Sequence, residues 1–549
     1  MDKIPVIDLF AGPGGLGEGF SKVGFDIVLS IEMDSIACDT LRLRKFYNLF
    51  QKSSVPQLYY DVIKGEKPLS DLECQYAKEW KMATERVLEA EIGTKKEYIY
   101  DKISEALKGY DKSKLIVIGG PPCQAYSLAG RSKRLGLGDK YNTIFKELFS
   151  DEQIDKIDNH KKLEKIIKKK KDINTSEENK ILLQDIEDYI LKKNDEFYKD
   201  SKHKLYEHYL KIIEHFQPLL FVMENVKGIN SAVIPSKNNK NVKVLDKILK
   251  DINELGYGTH SIGCDSNIQQ SFLSDQDFLV KCENYGVPQR RHRVIIIGIN
   301  SKNNINLSTL KKVNTDVTVK DMINDMPRVR SGLSKGEDTY ENWLTIIEKQ
   351  LIEHDINELS DCLNIIKNNK SLSRGKLYFK SLFKNTDIKV KKWIYDKKLN
   401  GVIQHTTRSH MKSDLIRYMY SSWFTNKKNN QIKISDWPIQ LKPMHKNITI
   451  KNSKLSSNSH VDRFKVQLFN SPSNTITSHI SKDGHYFIHP DATQCRSFTP
   501  REAARIQTFP ENYYFCGGRT SQYHQIGNAV PPYLAYQIAL LIKKSLKNT

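Results

Sequence analysis

The sequence predicts an α/β fold, a doubly wound sheet with a second, smaller domain, and three observations carry that prediction. Residues 4–9 form an apolar run that leads straight into a glycine turn and a helix-spaced segment at 14–24. Short β-branched runs then recur with helical segments between them, and from about 301 to 490 this alternation is lost. Taken in order, the strands are expected at 4–9, 27–31 (ending on Glu32), 115–118, 219–223 and 294–297, with helices at 206–215 and 243–255. Each run is short, apolar and bounded by turn residues, as strands covered on both faces require.

Two stretches interrupt the rhythm. Residues 136–199, including Lys168-Lys169-Lys170-Lys171, read as an inserted charged helical hairpin. Residues 301–490 mix Lys, Asn, Ser, aromatics and His without a glycine loop and are expected to form the smaller domain. The α/β signal returns at 491–549, so the first domain, 1–300, is expected to be closed by the C-terminal stretch.

The 549 residues carry 86 Lys and Arg against 65 Asp and Glu, a formal charge of +21, which favours a polyanionic partner such as nucleic acid. The cysteines, at 38, 74, 123, 264, 282, 362, 495 and 516, include no pair at the two-residue spacing of zinc ribbons, so no metal is expected. The chain opens into its first strand without a leader and no apolar run approaches the ~20 residues of a bilayer span, so a reducing, cytoplasmic setting is expected.

Phe10-Ala11-Gly12-Pro13-Gly14-Gly15-Leu16-Gly17 follows the first strand and opens a helix, and Glu32 ends the next strand. That pairing suits close backbone approach to a nucleoside cofactor and a carboxylate on its ribose; NAD, FAD or S-adenosylmethionine would each satisfy it. Gly119-Gly120-Pro121-Pro122-Cys123-Gln124 places Cys123 on a stiff loop at the carboxyl end of a strand, where open α/β sheets bind ligands. A thiolate is a suitable nucleophile for an electron-poor ring carbon. Glu224, in Met223-Glu224-Asn225-Val226, ends another strand, and partial desolvation there would raise its pKa and let it hold a proton on a ring nitrogen. In Gln289-Arg290-Arg291-His292-Arg293, alternation puts Arg291 and Arg293 on one face, able to hold a carbonyl oxygen or a phosphate.

Together these segments resemble one family, the C5-cytosine DNA methyltransferases, over about 1–135, 200–300 and 496–540. Asp8 to Gly15 is similar to its cofactor loop, Pro121-Pro122-Cys123-Gln124 to its nucleophile loop, Glu224-Asn225-Val226 to its base-binding acid, and Gln289 to Arg293 to its arginine motif. Arg501 to Gln507 and Gln525 to Pro532 resemble its late helix and closing cofactor motif. The segment Asp200 to Tyr206 resembles the one that normally follows the nucleophile loop closely, with Lys202 and His203 where Arg and Asn are usual.

The resemblance implies a Rossmann-like methyltransferase sheet and S-adenosylmethionine as cofactor. It implies cofactor contacts from Phe10, Ala11, Gly12, Gly14, Gly15, Leu16, Glu32, Met33, Asp61, Val62, Pro121, Leu205, Asn528 and Val530. It also implies that Cys123 attacks carbon 6 of an extruded cytosine, that Glu224 engages ring nitrogen 3 and the amine, and that Arg293, with Arg291, holds the carbonyl oxygen. Gln124, Ser127 and Arg131 would meet DNA from the nucleophile loop. Within 301–490, the segments His405–His410 and Ser478–Tyr486 are expected to face DNA through Arg408, His410, Ser478, Lys482 and His485. The expected partner is duplex DNA, met by a monomer that works apart from any cognate restriction endonuclease. A tRNA cytosine-5 methyltransferase and a catalytically silent DNA-binding protein of the same fold are the alternatives.

Overall fold

The structure is a computed structural model, and it describes residues 3–51, 53–122, 205–235, 241–263, 273–369, 372–381, 387–433, 436–442, 450–451, 454–455 and 464–547. The expected hairpin at 136–199 lies outside these residues, as do Cys123, Gln124, Ser127 and Arg131.

The first unit is β1 (Pro5–Leu9), α1 (Gly15–Val23) and β2 (Asp26–Glu32), followed by α2 (Ser35–Asn48) and α3 (Gln57–Ile63). A three-residue strand, β3 (Val87–Glu89), then precedes α4 (Lys96–Ala106) and β4 (Ile116–Gly119). After α5 (Leu205–Phe216) come β5 (Leu220–Val226), α6 (Val244–Glu254), β6 (Tyr257–His260), β7 (Leu279–Lys281) and β8 (His292–Asn300). The strands line up as β3-β2-β1-β4-β5-β8-β6, with β7 paired to the first residues of β8. From β3 to β5 every pairing is parallel, whereas β8 runs antiparallel to both β5 and β6. The run expected at 294–297 is thus a longer strand that returns from β7 and slots between β5 and β6.

Alternation along the strands builds two cores. Ile7, Val117, Phe221, Met223, Val294 and Ile296 point to one face, where α4, α5 and α6 cover them. Val6, Ile116, Ile118, Leu220, Val222, Ile295 and Ile297 point to the other, against α1 and the C-terminal helix. Helices on both faces of a mainly parallel sheet make the fold doubly wound, and burial of both faces explains why the strands read as continuous apolar runs.

Beyond β8, the chain forms α7 (Tyr340–Glu353), the hairpin β9 (Gly375–Lys380) and β10 (Gly401–Thr406), and α8 (Lys412–Lys428). Trp343 and Ile347 of α7 meet Tyr418 and Met419 of α8, Val466 and Ile488 in a core of their own. Leu399 and Ile403 instead join Leu43, Tyr59 and Tyr60 of α2 and α3, so this region is sewn to the sheet domain by shared apolar contacts. The chain then returns through α9 (Pro500–Ile506), α10 (Arg519–Asn528) and α11 (Pro532–Lys547). Leu534, Ala535, Ile538 and Ile542 of α11 close the second face of the sheet. Among the described residues, no helix is long and apolar enough to cross a membrane.

Candidate active site

The glycine loop after β1 is shaped by backbone geometry. Phe10, Gly12 and Gly14 all have positive φ, 53°, 55° and 89°, a region costly for residues with a side chain. The three loop glycines nevertheless serve different ends. A Cβ on Gly15 would lie 2.2 Å from the carbonyl oxygen of Val530, and one on Gly14 would lie 2.7 Å from Leu41, so both are required by packing within the protein. A Cβ on Gly12 would meet nothing within 4 Å among the described residues, so Gly12 borders open space. Leu16 is buried in the sheet–helix core, Phe10 and Ala11 are half-buried, and Val530 is buried against the loop while Asn528 is exposed.

Glu32, at the carboxyl end of β2, holds this loop in place. Its carboxylate accepts from the amides of Gly12 (2.8 Å), Met33 (2.9 Å) and Asp34 (2.9 Å), leaving part of its acceptor capacity for a hydroxyl group. Met33 beside it is 64 % exposed, an unbranched apolar side chain at the sheet edge. An open glycine, an anchored carboxylate and an exposed apolar surface fit a nucleoside cofactor. A further clamp comes from the returning chain, where the Tyr513 hydroxyl donates to the carbonyl of Pro13. In the same layer Arg44 spans from Glu18 (2.5 and 2.8 Å) to Asn512 (3.0 Å). Within this pair, burial opposes ionisation of Glu18, but Arg44 prevails and lowers its pKa to about 2.

Asp61 and Val62 do not join this edge. They sit in α3, where the Asp61 carboxylate accepts from Gln57 within the same helix. The edge position next to Glu32 belongs to β3, which pairs Glu89 with Glu32, and residues 90–92 follow it. A three-residue edge strand is too short to show a period, which is why the sequence pattern passes over it.

The second half of the site lies two strands beyond β1, past β4. Glu224 of β5 and Arg293 of β8 form an ion pair of 2.8 Å, each side chain only 12 % exposed. A Cβ on Gly120 would stand 2.9 Å from a Glu224 carboxylate oxygen, so this pair sits directly against the backbone that leads into Pro121, Pro122 and Cys123. Asn225 tightens the join by donating to the carbonyl of Pro121 at 3.3 Å. Cys282, nearby in the fold, is fully buried, and burial pushes its thiol up to about 12, away from the thiolate form that attacks.

Arg291 takes a different part from the one expected. It lies just before β8, is 2 % exposed, and donates to the carbonyls of Ile476 (2.8 Å) and Gly527 (3.3 Å). Burial, then the charge of Arg293, lowers its pKa to about 9. Gln289 works beside it, donating to the carbonyl of Ile506 (3.1 Å) and accepting from the amide of Ile476 (3.0 Å). Arg291 is thus spent on joining the 476 segment to the end of α10. Leu205, half-buried, opens α5.

Of the side chains expected to face DNA, Arg408 and His410 are buried. The Arg408 guanidinium donates to the carbonyls of Ile480 (2.6 Å) and Lys482 (3.0 Å), and His410 lies within reach of Ser497 (3.3 Å) and Tyr418 (3.4 Å). His485 is half-buried, with its Nδ1 2.5 Å from the Tyr418 hydroxyl. Lys482 is exposed and Ser478 half-exposed, on a turn at 478–482 that Arg408 holds from beneath. The physical reason is that an arginine buried in a protein needs acceptors, and bare carbonyls of a tight turn supply them. Among the described residues, no group of His, Cys, Asp and Glu could hold a metal ion.

A family model described as C-5 cytosine-specific DNA methylase matches residues 4–55, 64–151 and 190–544 of the chain. The type II methyltransferase M.Bpa9945I of Bacillus paralicheniformis is 29 % identical over 98 % of this chain and 98 % of its own. The type II methyltransferase M.DdeI of Desulfomicrobium norvegicum is 23 % identical over 99 % of this chain and 89 % of its own. A crystal structure of a prophage-encoded DNA modification methyltransferase of Escherichia coli superposes with a TM-score of 0.51 at 17 % identity, covering 99 % of this chain and 100 % of the other, a likeness of fold.

Proposed function

The chain belongs to the C-5 cytosine-specific DNA methylase family and is a DNA (cytosine-5-)-methyltransferase, and from that premise we propose how its residues divide the reaction. The observation that carries the assignment is the position of the Glu224–Arg293 pair against Gly120, three residues before Cys123, at the sheet edge that also bears the glycine loop. Carbon 5 of cytosine is a weak nucleophile until a group adds to carbon 6, and the Cys123 thiolate makes that bond. Glu224 engages ring nitrogen 3 and the exocyclic amine, drawing electron density as the bond forms, and Arg293 holds the carbonyl oxygen. Once carbon 5 bears its methyl group, loss of the proton there lets the carbon 6–sulfur bond break and frees Cys123. The target base must leave the helical stack to reach these groups, at a cost of a few kcal/mol.

S-adenosylmethionine is the proposed donor; when bound it supplies an electrophilic methyl carbon on a sulfonium. Gly12, Glu32 and Met33 would hold its nucleoside part, with Phe10, Asn528 and the backbone near Val530 completing the walls. Residues 301–490 are proposed to recognise the target sequence, and the type II relatives favour a protective role beside a separate restriction endonuclease.

The test offers duplex DNA and tRNA side by side with labelled S-adenosylmethionine, followed by bisulfite sequencing of the duplex. Methylation of cytosine at one recurring sequence in the duplex alone is the expected result. Label entering only tRNA, or appearing on an exocyclic nitrogen, would overturn it.

A further inference from the structure

Three arginines converge where α10 begins. Arg519, its first residue, donates to the carbonyl of Thr407 at 2.7 Å, and Arg374 donates to the same oxygen at 3.2 Å. Arg408, the next residue along, lies over the ring of Tyr523 in the same helix, 4.8 Å from its centroid. Their compensation is slight. Asp338 is paired with Arg374 (2.9 Å) but also with Arg330 (2.6 Å), so one carboxylate faces two guanidiniums. Burial and then Tyr523, Arg408 and Arg374 act on Arg519, no carboxylate among them, and its pKa is lowered.

The helix end adds to the imbalance. The N-cap of α10 is Gly518, which gives no side-chain cap, and its first turn holds no acid. The positive end of a helix dipole favours an anion, so an arginine there is of the wrong sign unless an anion comes from outside. Gly518 is exposed, and a Cβ on it would meet nothing within 4 Å among the described residues, so the approach is open. The Nε donors of Arg374 and Arg408 are buried without an acceptor among the described residues, and Arg408 is only 7 % exposed. Arg374 keeps 37 % of its side chain exposed, so the cluster reaches the surface. It also lies next to the exposed turn at 478–482, since Arg408 holds that turn's carbonyls.

We propose that Arg374 and Arg519, with the uncapped first turn of α10 and backed by Arg408, bind a phosphodiester of the duplex backbone. The inference rests on the reading of duplex DNA as substrate. Guanidiniums and free helix amides are the donors that phosphate oxygens take in nucleic-acid complexes, and such contacts fix register without reading sequence. Arg408 keeps the recognition turn in a constant relation to that anchor.

The experiment measures duplex affinity of the full chain against salt concentration, for the wild type and for Arg374→Gln, Arg519→Gln and the double variant. Neutralising one phosphate contact changes the slope of log K against log salt by about 0.9. The double variant is expected to lose about that much slope and to bind cognate and unrelated duplexes about equally more weakly, with its methylated sequence unchanged. A folded variant that binds more weakly with the wild-type slope, or that changes sequence choice, would overturn the proposal. Should Arg519→Gln fail to fold, Arg374→Gln alone decides, because 37 % of the Arg374 side chain is exposed and its loss is expected to reduce the slope on its own. A parallel arm compares inorganic phosphate with chloride at equal ionic strength in thermal unfolding. Stabilisation of the wild type but not the variants by inorganic phosphate, with duplex slopes unaltered, would assign the site to a free anion and overturn the duplex assignment. A wild type that neither binds nor methylates any duplex would instead sink the functional reading itself.

Discussion

The catalytic corner and the recognition seam are built from the same residue types, yet they treat them in opposite ways. At the corner, Glu224 and Arg293 pair with each other and keep an outlet to solvent, each 12 % exposed, beside an open glycine and an anchored carboxylate. At the seam, Arg291, Arg408 and Arg496 are buried and engaged by carbonyls or by Glu502. A polar side chain whose terminal donors are taken up by carbonyls or a carboxylate inside the protein is a joint, and one that keeps capacity at an open edge is a reagent. Residue identity alone does not separate the two; burial and partners do.

The widest separation is expected between Glu224 and Arg291. Glu224→Gln should lower the methylation rate by about 10²–10⁴-fold, the range of general acid–base contributions, with thermal stability little changed. Arg291→Met should do the reverse. It leaves the carbonyls of Ile476 and Gly527 without their donor, and each buried unsatisfied acceptor costs about 1–3 kcal/mol, so melting temperature falls while the rate per folded molecule is largely kept. A rate loss in Arg291→Met at unchanged melting temperature would return that residue to the catalytic set.

A second contrast lies within the seam itself. Arg496 and Glu502 form a buried two-bond pair at 2.7 Å each, and Glu502→Gln should cost about 3–5 kcal/mol by stranding the arginine. Chemical denaturation would show this directly, and a loss under about 1 kcal/mol would place the junction outside the folding core.

The glycine loop gives a smaller, sharper test. Gly15→Ala forces a Cβ against the Val530 carbonyl and should destabilise by about 1–3 kcal/mol, as overpacking does. Gly12→Ala meets no neighbour among the described residues and is expected to cost only about 1–2 kcal/mol for its left-handed backbone, yet to weaken S-adenosylmethionine binding more strongly than Gly15→Ala does. Equal effects of the two on cofactor affinity, measured by calorimetry, would erase the distinction drawn between them.

Acid should reach the seam gradually. The Thr499 hydroxyl is 2.9 Å from Nδ1 of His405, and the His405 Nε2 donates to the carbonyl of Pro327 at 2.7 Å, contacts that either a neutral or a charged ring can make, so burial decides its charge. Burial lowers its pKa from 6.5 to about 4. The unfolded chain therefore binds the proton first, so this contribution to stability is whole above about 6.5 and is lost as pH falls toward 4. Melting temperature should decline across that window, and His405→Gln should flatten the decline; an unchanged slope would remove His405 as its source.

Much of this was legible in the sequence because the chemistry sits where strands end. Glu32 and Glu224 each follow an apolar run, and the rule that open α/β sheets bind ligands at the carboxyl ends of their strands marks that edge without knowledge of the fold. The edge strand β3 is not legible, since three residues carry no period, and Asp61 lies in α3 and not at the end of that strand. The antiparallel course of β8 depends on the β7 pairing, which is a tertiary fact. Arg408 and His410, expected to face DNA, are buried; a polar residue bears no local mark of whether its acceptors will be solvent or backbone.

The most direct measurement offers the full chain a duplex carrying 5-fluorocytosine at the methylated position, together with S-adenosylmethionine, and looks for a complex that survives denaturing electrophoresis. Fluorine at carbon 5 cannot leave as a proton does, so the bond from Cys123 to carbon 6 should persist, and Cys123→Ser should abolish it. A complex that forms as well with Cys123→Ser, or none with a wild type that methylates the same unfluorinated duplex, would contradict covalent activation by this thiol.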